Sequence, residues 1–387
     1  MAGVNNKAAL CATEFTLDVY KEVVKKSSDN IFMSPSSILV VMAMLHAGAK
    51  NRTQEQMTKT LHFGTKTEED VLEMMTNFMS VLQQGSASVT LKSANRLYPH
   101  TDKSILQEYI DLISKHYKAE VKSMNYTTAF EAARKDITQL VEEETNNKLK
   151  QLLPAGSLNP LTAMVVVNAI YFKGNWATQF DSKRTKSMPF HSTAGEAKVD
   201  MMRKEIKMAK FSASKQLNCE VLELPYIGEE VTMIFILPND KDGLPSLEKQ
   251  LTLDNMMQLR TGLGSQKMDV GIPKFKLESS HEMKDVLSSL GMPDAFDMGK
   301  ADFSGMGKDL VVSKVFHKAF VDVNEEGTEA AAATAAVMMK RSLPTPPRSF
   351  IADHPFMFLI WDLRLNAPLF VGRFVNPGTL KASKDEL

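Results

Sequence analysis

Hydrophobic residues follow two different spacings along this chain, one typical of helices and one typical of strands. Between about residues 8 and 26 they recur on one helical face, which predicts an opening amphipathic helix. A second helix is predicted at Ser34-Pro35, where a capping hydroxyl precedes a proline, and a third from about residue 129. The run 164–176 is almost continuously apolar and β-branched, as in a central strand covered on both faces. Further strands are predicted at 222–226 and 232–238.

The stretch 324–342 combines local signals that contradict each other. Its alanines favour a helix, but no apolar stripe would hold that helix against a core. If the stretch forms a strand, Thr328, Ala330, Ala332, Thr334 and Ala336 share one face. All five are small enough to lie within an existing sheet. Composition alone leaves open a flexible alanine-rich linker before a basic processing site.

Composition and charge exclude several classes of function. The 387 residues are 43% hydrophobic and carry 46 basic and 46 acidic side chains, so nothing indicates a nucleic-acid partner. No run reaches the length of a membrane span, and we expect no membrane association. Cys11 and Cys219 cannot form a disulfide framework and are expected to be buried free thiols.

Motifs for catalysis and metal binding are missing from the sequence. A Gly-x-Ser-x-Gly nucleophile elbow is absent, and no histidine pair has metal-binding spacing. The segment 262–265 lacks the third glycine of a phosphate-binding loop. We therefore expect no catalytic residue, metal or cofactor, and a protein that is not an enzyme.

The two ends of the chain give different indications of its location. Residues 1–10 contain no signal peptide, whereas Lys384, Asp385, Glu386 and Leu387 form the tetrapeptide that the KDEL receptor binds to retain proteins in the endoplasmic reticulum. Asn51 and Asn125 lie in glycosylation sequons. These features predict a precursor with a leader, a location in the secretory pathway and the KDEL receptor as a partner.

Several specific runs together resemble the serpins, the serine protease inhibitor family. The resemblance extends over nearly the whole chain, and its most specific runs are 93–98, 164–176, 272–275, 301–305, 324–342, 352–358 and 368–374. The resemblance implies an α+β serpin fold in a single domain, 1–387, with about three β-sheets and eight to nine helices. It also implies a monomer and an exposed reactive-centre loop at about 326–348.

The resemblance further assigns expected roles to particular residues. Ser34, Ser37, Asn168 and His317 match the shutter, a buried polar cluster under the strands that must part, and Trp176 matches the breach, where loop insertion begins. The hinge corresponds to Glu325, Glu326, Gly327, Thr328, Glu329, Ala330, Ala331, Ala332 and Ala333. In this family a target serine protease attacks the loop, forms a covalent acyl complex and is carried along as the loop inserts.

Spacing identifies the bond that a target protease is expected to attack. Serpins are usually cleaved fourteen residues after the hinge glycine, which here is the bond Arg341-Ser342. The preceding residues Met338, Met339, Lys340 and Arg341 would enter the protease and end in a dibasic pair. That pair indicates furin- or kexin-type proprotein convertases, although furin prefers arginine at position 338. Alternatives are an inhibitor of trypsin-like proteases and a non-inhibitory chaperone of the endoplasmic reticulum.

Overall fold

The computed structural model describes residues 2–84, 89–145, 147–327 and 347–379. Within this part of the chain the helices are α1 (Ala2–Val24), α2 (Pro35–Gly48), α3 (Asn51–Thr60), α4 (Glu68–Gln84), α5 (Gln107–Tyr117), α6 (Tyr126–Glu144), α7 (Leu244–Gln250), α8 (Leu253–Thr261) and α9 (Lys284–Leu290). The strands are β1 (Ile31–Met33), β2 (Val89–Pro99), β3 (Glu120–Val121), β4 (Met164–Gly174), β5 (Lys186–Ser192), β6 (Gly195–Ser214), β7 (Cys219–Pro225), β8 (Val231–Pro238), β9 (Gly264–Pro273), β10 (Phe275–Glu282), β11 (Lys314–Val323), β12 (Arg348–Ile351), β13 (Phe356–Asp362) and β14 (Ala367–Phe374).

These described strands form two hydrogen-bonded sheets, where about three were expected. One sheet has five strands in the order β10-β11-β4-β2-β3. The other has nine strands, because β6 is 20 residues long and pairs in turn with β5, β9 and β7. A single continuous strand thus joins what would otherwise be two separate sheets.

The central strand β4 is covered on both faces, as its apolar sequence predicts. Val165, Val167 and Ala169 pack in a cluster under α6, whereas Val166 and Ile170 belong to the main core, to which α1 and α2 contribute. Full burial of one such side chain contributes about 1.5–3 kcal/mol. Successive side chains of a strand point to opposite faces of the sheet. Asn168 therefore lies on the same face as Val166 and Ile170, towards the main core.

Other sequence-based predictions are confirmed at the level of single elements. The opening helix is α1, and α2 begins at Pro35 with the Ser34 side chain accepting a hydrogen bond from the backbone N–H of Ser37. Cys11 and Cys219 are both buried free thiols. Among the described helices, none combines the length and the apolar character needed to cross a bilayer.

Candidate functional site

The seam between β4 and β11 is the centre of the candidate site. The two strands are parallel and pair directly from Val165–Lys314 to Tyr171–Phe320. β2 lies antiparallel on the other side of β4, and β10 lies antiparallel on the other side of β11. Any strand added between β4 and β11 must first separate this pairing.

A row of polar side chains crosses the five-stranded sheet at one level of its register. Asn168 on β4 is paired with Asn95 on β2 and with His317 on β11, and His317 is paired with His281 on β10. The amide nitrogen of Asn168 donates to Asn95 Oδ1 at 2.6 Å and to Ser37 Oγ at 2.5 Å. Its Oδ1 lies 2.6 Å from His317 Nδ1. This polar row therefore links the two strands across the seam.

His317 is held in one protonation state by its two partners. The backbone N–H of Ser34 donates to His317 Nε2 at 3.0 Å, so Nε2 is an acceptor and the ring proton lies on Nδ1. That proton is donated to Asn168. Burial, with a smaller effect of His281, lowers the pKa of His317 to about 3. The ring is thus neutral at pH 7 and completely buried.

Hydrogen bonds at the start of α2 connect the polar row to the nine-stranded sheet. Ser34 Oγ donates to the carbonyl of Leu369 on β14 at 2.7 Å, and Ser36 Oγ donates to the carbonyl of Pro368. The Ser34 hydroxyl also caps the helix. The four residues that were expected to form the shutter therefore lie together, between the seam and the N-terminus of α2.

A second cluster lies at the end of β4, around Trp176. The indole ring stacks on Tyr226 with centroids 4.6 Å apart, and only 1% of Trp176 is exposed. Its backbone N–H donates to Glu326 O and its Nε1–H donates to Asn324 O, both at 2.9 Å. The expected breach residue thus holds the chain where it leaves β11.

Glu325 is fixed at the same place through its side chain. The hydroxyl of Thr185 donates to it at 2.8 Å, and Lys274 forms an ion pair with it at 3.1 Å. Burial disfavours the carboxylate, but the contacts with Thr185, with the backbone and with Lys274 together outweigh burial and lower the pKa of Glu325. The backbone N–H of Phe180 donates to Glu325 O at 2.8 Å. Both the side chain and the backbone of this residue are therefore held.

Gly327 occupies a position that only glycine fits. Its φ is +129°, and an added Cβ would lie 2.3 Å from Gly174 O and 2.6 Å from Trp176 N. Asn324 and Gly327 exchange two backbone hydrogen bonds, of 2.9 and 3.2 Å, around Glu325 and Glu326. This tight turn reverses the chain direction at the end of β11.

Part of the predicted site lies outside the described residues. This applies to the hinge from Thr328 to Ala333, to Met338, Met339, Lys340, Arg341 and Ser342, and to the tail Lys384–Leu387. Asn51 and Asn125 are both exposed; the amide of Asn51 donates to Asp302, and Asn125 caps α6.

Two members of the polar row, Asn95 and His281, were missed by the sequence analysis. Each lies on a strand adjacent to one of the predicted residues, and its place in the row depends on strand register. A polar residue at an inward-facing strand position is the available signal. Within the described residues, no group of His, Cys, Asp and Glu side chains could hold a metal ion.

The arrangement has counterparts among known proteins. A family model described as "Serpin (serine protease inhibitor)" matches residues 11–377. The chain belongs to the serpin family. Serpin B6 of Macaca fascicularis is 42% identical to this serpin over 368 residues, which covers 94% of this chain and 97% of the relative. The leukocyte elastase inhibitor of Homo sapiens is 40% identical over 377 residues, which covers 94% and 98%.

Solved structures give the same result for the fold. The crystal structure of Serpin48 from the insect Tenebrio molitor matches with a TM-score of 0.86 at 33% identity, over 97% of this chain and 98% of that one. The predicted α+β serpin fold is confirmed, with nine α-helices among the described residues. That residues 1–387 form one domain stays a prediction.

The comparisons correct two other expectations. The predicted location in the endoplasmic reticulum is wrong, because serpin B6 and the leukocyte elastase inhibitor are intracellular serpins of clade B. A terminal tetrapeptide acts only on proteins that enter the secretory pathway, so retention and glycosylation do not follow from it. The second expectation stated only that the protein is not an enzyme. The family is described as serine protease inhibitors, and membership in it supports protease inhibition as the general activity.

Proposed function

We propose that this serpin traps serine proteases that cleave after Arg341, and that it does so by inserting the cleaved loop between β4 and β11. The supporting observation is the seam itself. β4 and β11 are direct parallel neighbours, and the chain leaves β11 through a tight turn that reverses its direction. A segment that follows this turn can enter the seam antiparallel to both strands.

The dimensions of the seam suit such an insertion. A strand from Thr328 to Arg341 would be roughly 45 Å long and β4 roughly 36 Å, at about 3.3 Å per residue. Insertion exchanges one ladder between β4 and β11 for two ladders with the new strand. Each added hydrogen bond contributes on the order of 1 kcal/mol net. Thr328, Ala330, Ala332 and Thr334 would present small side chains to one face of the sheet.

The polar row supplies a barrier to insertion before cleavage. The hydrogen bond between Asn168 and His317 joins two strands that must separate, and both side chains are fully buried. Breaking this bond without new partners leaves polar groups unsatisfied in the core, which is costly. The row therefore acts as a latch that keeps the uncleaved form kinetically trapped.

The loop sequence directs this inhibitor towards proteases specific for basic residues. Arg341 would pair with a carboxylate in the protease pocket, in a charge-assisted contact. Lys340 adds the second basic residue that proprotein convertases require. Met338 replaces the arginine that furin prefers, which lowers affinity by about 1–3 kcal/mol if one charge-assisted contact is lost. Convertases of the furin and kexin type are the proposed targets.

The test uses the full chain with trypsin and with a furin-type convertase, in parallel. Both enzymes are expected to form complexes that survive denaturing gels, with a new N-terminus at Ser342. Arg341→Ala is expected to abolish both complexes. Lys340→Ala is expected to slow the convertase far more than trypsin, whereas Met338→Arg is expected to accelerate only the convertase.

The possible outcomes test the convertase assignment separately from inhibition by strand insertion. Complexes with trypsin alone would disprove the convertase assignment and leave inhibition intact. Cleavage of wild-type protein by both enzymes without any complex would disprove inhibition itself. Thr328→Arg forces a charge into the sheet, so we expect it to turn the protein into a substrate. A full yield of complex from this variant would contradict strand insertion.

A further inference from the structure

A cavity of about 600 Å³ lies at the C-terminal end of α1, between α7 and the end of β14. Known sites for small ligands enclose about 300–1,000 Å³ and are mostly apolar. Val24, Leu244, Pro245, Pro355 and Val375 supply apolar wall here. No member of the polar row and no residue of the Trp176 cluster lines this cavity.

The floor of the cavity contains a buried arginine with unused hydrogen-bonding capacity. Arg373 lines the cavity, and only 7% of its side chain is exposed. Its acceptors are the two Glu248 oxygens at 3.2 Å, the carbonyl of Asp29 and the carbonyl of Ser27. A guanidinium has five N–H donors, so at least one has no acceptor among the described residues.

Glu248 accepts hydrogen bonds from two partners. It accepts from the hydroxyl of Tyr20 at 2.6 Å as well as from Arg373. The carboxylate and the guanidinium neutralise each other, and Glu248 is itself buried. Among the described residues, none of these contacts uses the remaining N–H of Arg373.

The rim of the cavity is basic. Lys21, Lys25, Lys241 and Lys249 line it, opposed by the single carboxylate of Asp242 in addition to Glu248 below. Lys25 is paired with Glu22 at 2.6 Å. In the part of the chain that the structure describes, Lys21, Lys241 and Lys249 form no ion pair. The whole chain carries equal numbers of basic and acidic residues, so this is a local concentration of positive charge.

We propose that this cavity binds a free fatty acid, with its chain against the apolar wall and its carboxylate between the rim lysines and Arg373. A bare inorganic anion would leave the apolar wall in contact with water. A neutral lipid would satisfy neither the lysines nor the remaining N–H of Arg373. Only an apolar chain with an anionic head complements both parts of the cavity.

The test is isothermal titration calorimetry of the full chain with dodecanoate, kept below its micelle concentration. Saturable binding of one dodecanoate is expected, with 1-dodecanol and dodecylamine binding much more weakly. Shortening the chain to decanoate should raise Kd about fourfold for each CH₂ removed.

Two variants with matched charge changes locate the site. Lys241→Glu combined with Lys249→Glu should raise Kd for dodecanoate roughly tenfold. Lys198→Glu combined with Lys215→Glu changes two exposed lysines that do not line the cavity, and should leave Kd unchanged. The proposal fails if dodecanoate does not saturate, if dodecanol binds as tightly, or if the two double variants behave alike. Thermal melting of each variant confirms that it is folded.

Discussion

Replacing Asn168 with alanine is expected to destabilise the native form severely. The side chain is completely buried, and it bonds to Asn95, Ser37 and His317. The hydroxyl of Ser37 can rotate towards another partner. Asn95 Oδ1 and His317 Nδ1–H are held by their strands and would be left unsatisfied in the core.

The magnitude follows from these two orphaned groups. Each unsatisfied buried polar group costs about 1–3 kcal/mol, and the small cavity that alanine leaves adds to this. The free energy of unfolding should therefore fall by about 3–6 kcal/mol, a large part of the roughly 5–15 kcal/mol of a typical protein. With a slope near 3 kcal/mol/M in urea, the midpoint should fall by about 1–2 M.

The assay is urea unfolding followed by far-ultraviolet circular dichroism. Asn168→Leu keeps the number of side-chain heavy atoms and removes the same hydrogen bonds, so it should also lower the free energy of unfolding by several kcal/mol, roughly 2–6. Asn239→Ala removes an exposed amide bonded to Asn218 and should stay within about 0.5 kcal/mol of wild type. If both Asn168 variants unfold with the midpoint of the Asn239 variant, the polar row does not stabilise the seam.

Three further predictions concern the hinge, the pH response and the cleaved loop. Gly327→Ala should lower the melting temperature more than Gly195→Ala, because both glycines have positive φ but only the first Cβ would strike backbone atoms; equal losses would contradict the steric argument. The pKa values of His317 and His281 lie at about 3 and about 4, below the ordinary 6.5, so the stability of the folded state is fully present above pH 6.5. Unfolding should become easier by about 2 kcal/mol per histidine at pH 5, and an unchanged urea midpoint between pH 7.5 and pH 5 would refute this. Cleavage at Arg341 should raise the melting temperature by roughly 20 °C or more as new ladder hydrogen bonds form, and identical melting of intact and cleaved protein would favour a non-inhibitory serpin.

Some residues of the seam were predictable from the sequence and others were not. β4 was predictable because its apolar, β-branched run is typical of a buried strand, and Asn168 stood out as the polar interruption. Asn95 and His281 were not predictable, because their partners are set by the register between strands that are far apart in sequence. The joining of two expected sheets through β6 depends on which strands pair with each part of its 20 residues, and the sequence does not show those long-range partners.

The error about location has a different origin. The tail from Lys384 to Leu387 was interpreted as a signal that a receptor binds, and that interpretation does not depend on the fold. A prediction about the core, a helix cap or a strand pair can be tested against many other positions of the same sequence. A signal of four residues cannot be tested in this way, and here the comparison with relatives contradicted the predicted location.

The position of one of the two tryptophans makes fluorescence a probe of the turn that follows β11. Trp176 donates its indole N–H to the carbonyl of Asn324 and stacks on Tyr226, so its emission responds directly to any departure of the turn that follows β11. Trp361 lies fully buried on β13 beneath Arg260, whose guanidinium is 4.2 Å from the ring centre. Only these two tryptophans occur in the chain, so a Trp361→Phe variant would report on Trp176 alone. Movement of this turn can therefore be followed in time by tryptophan fluorescence, without attaching a dye to the loop.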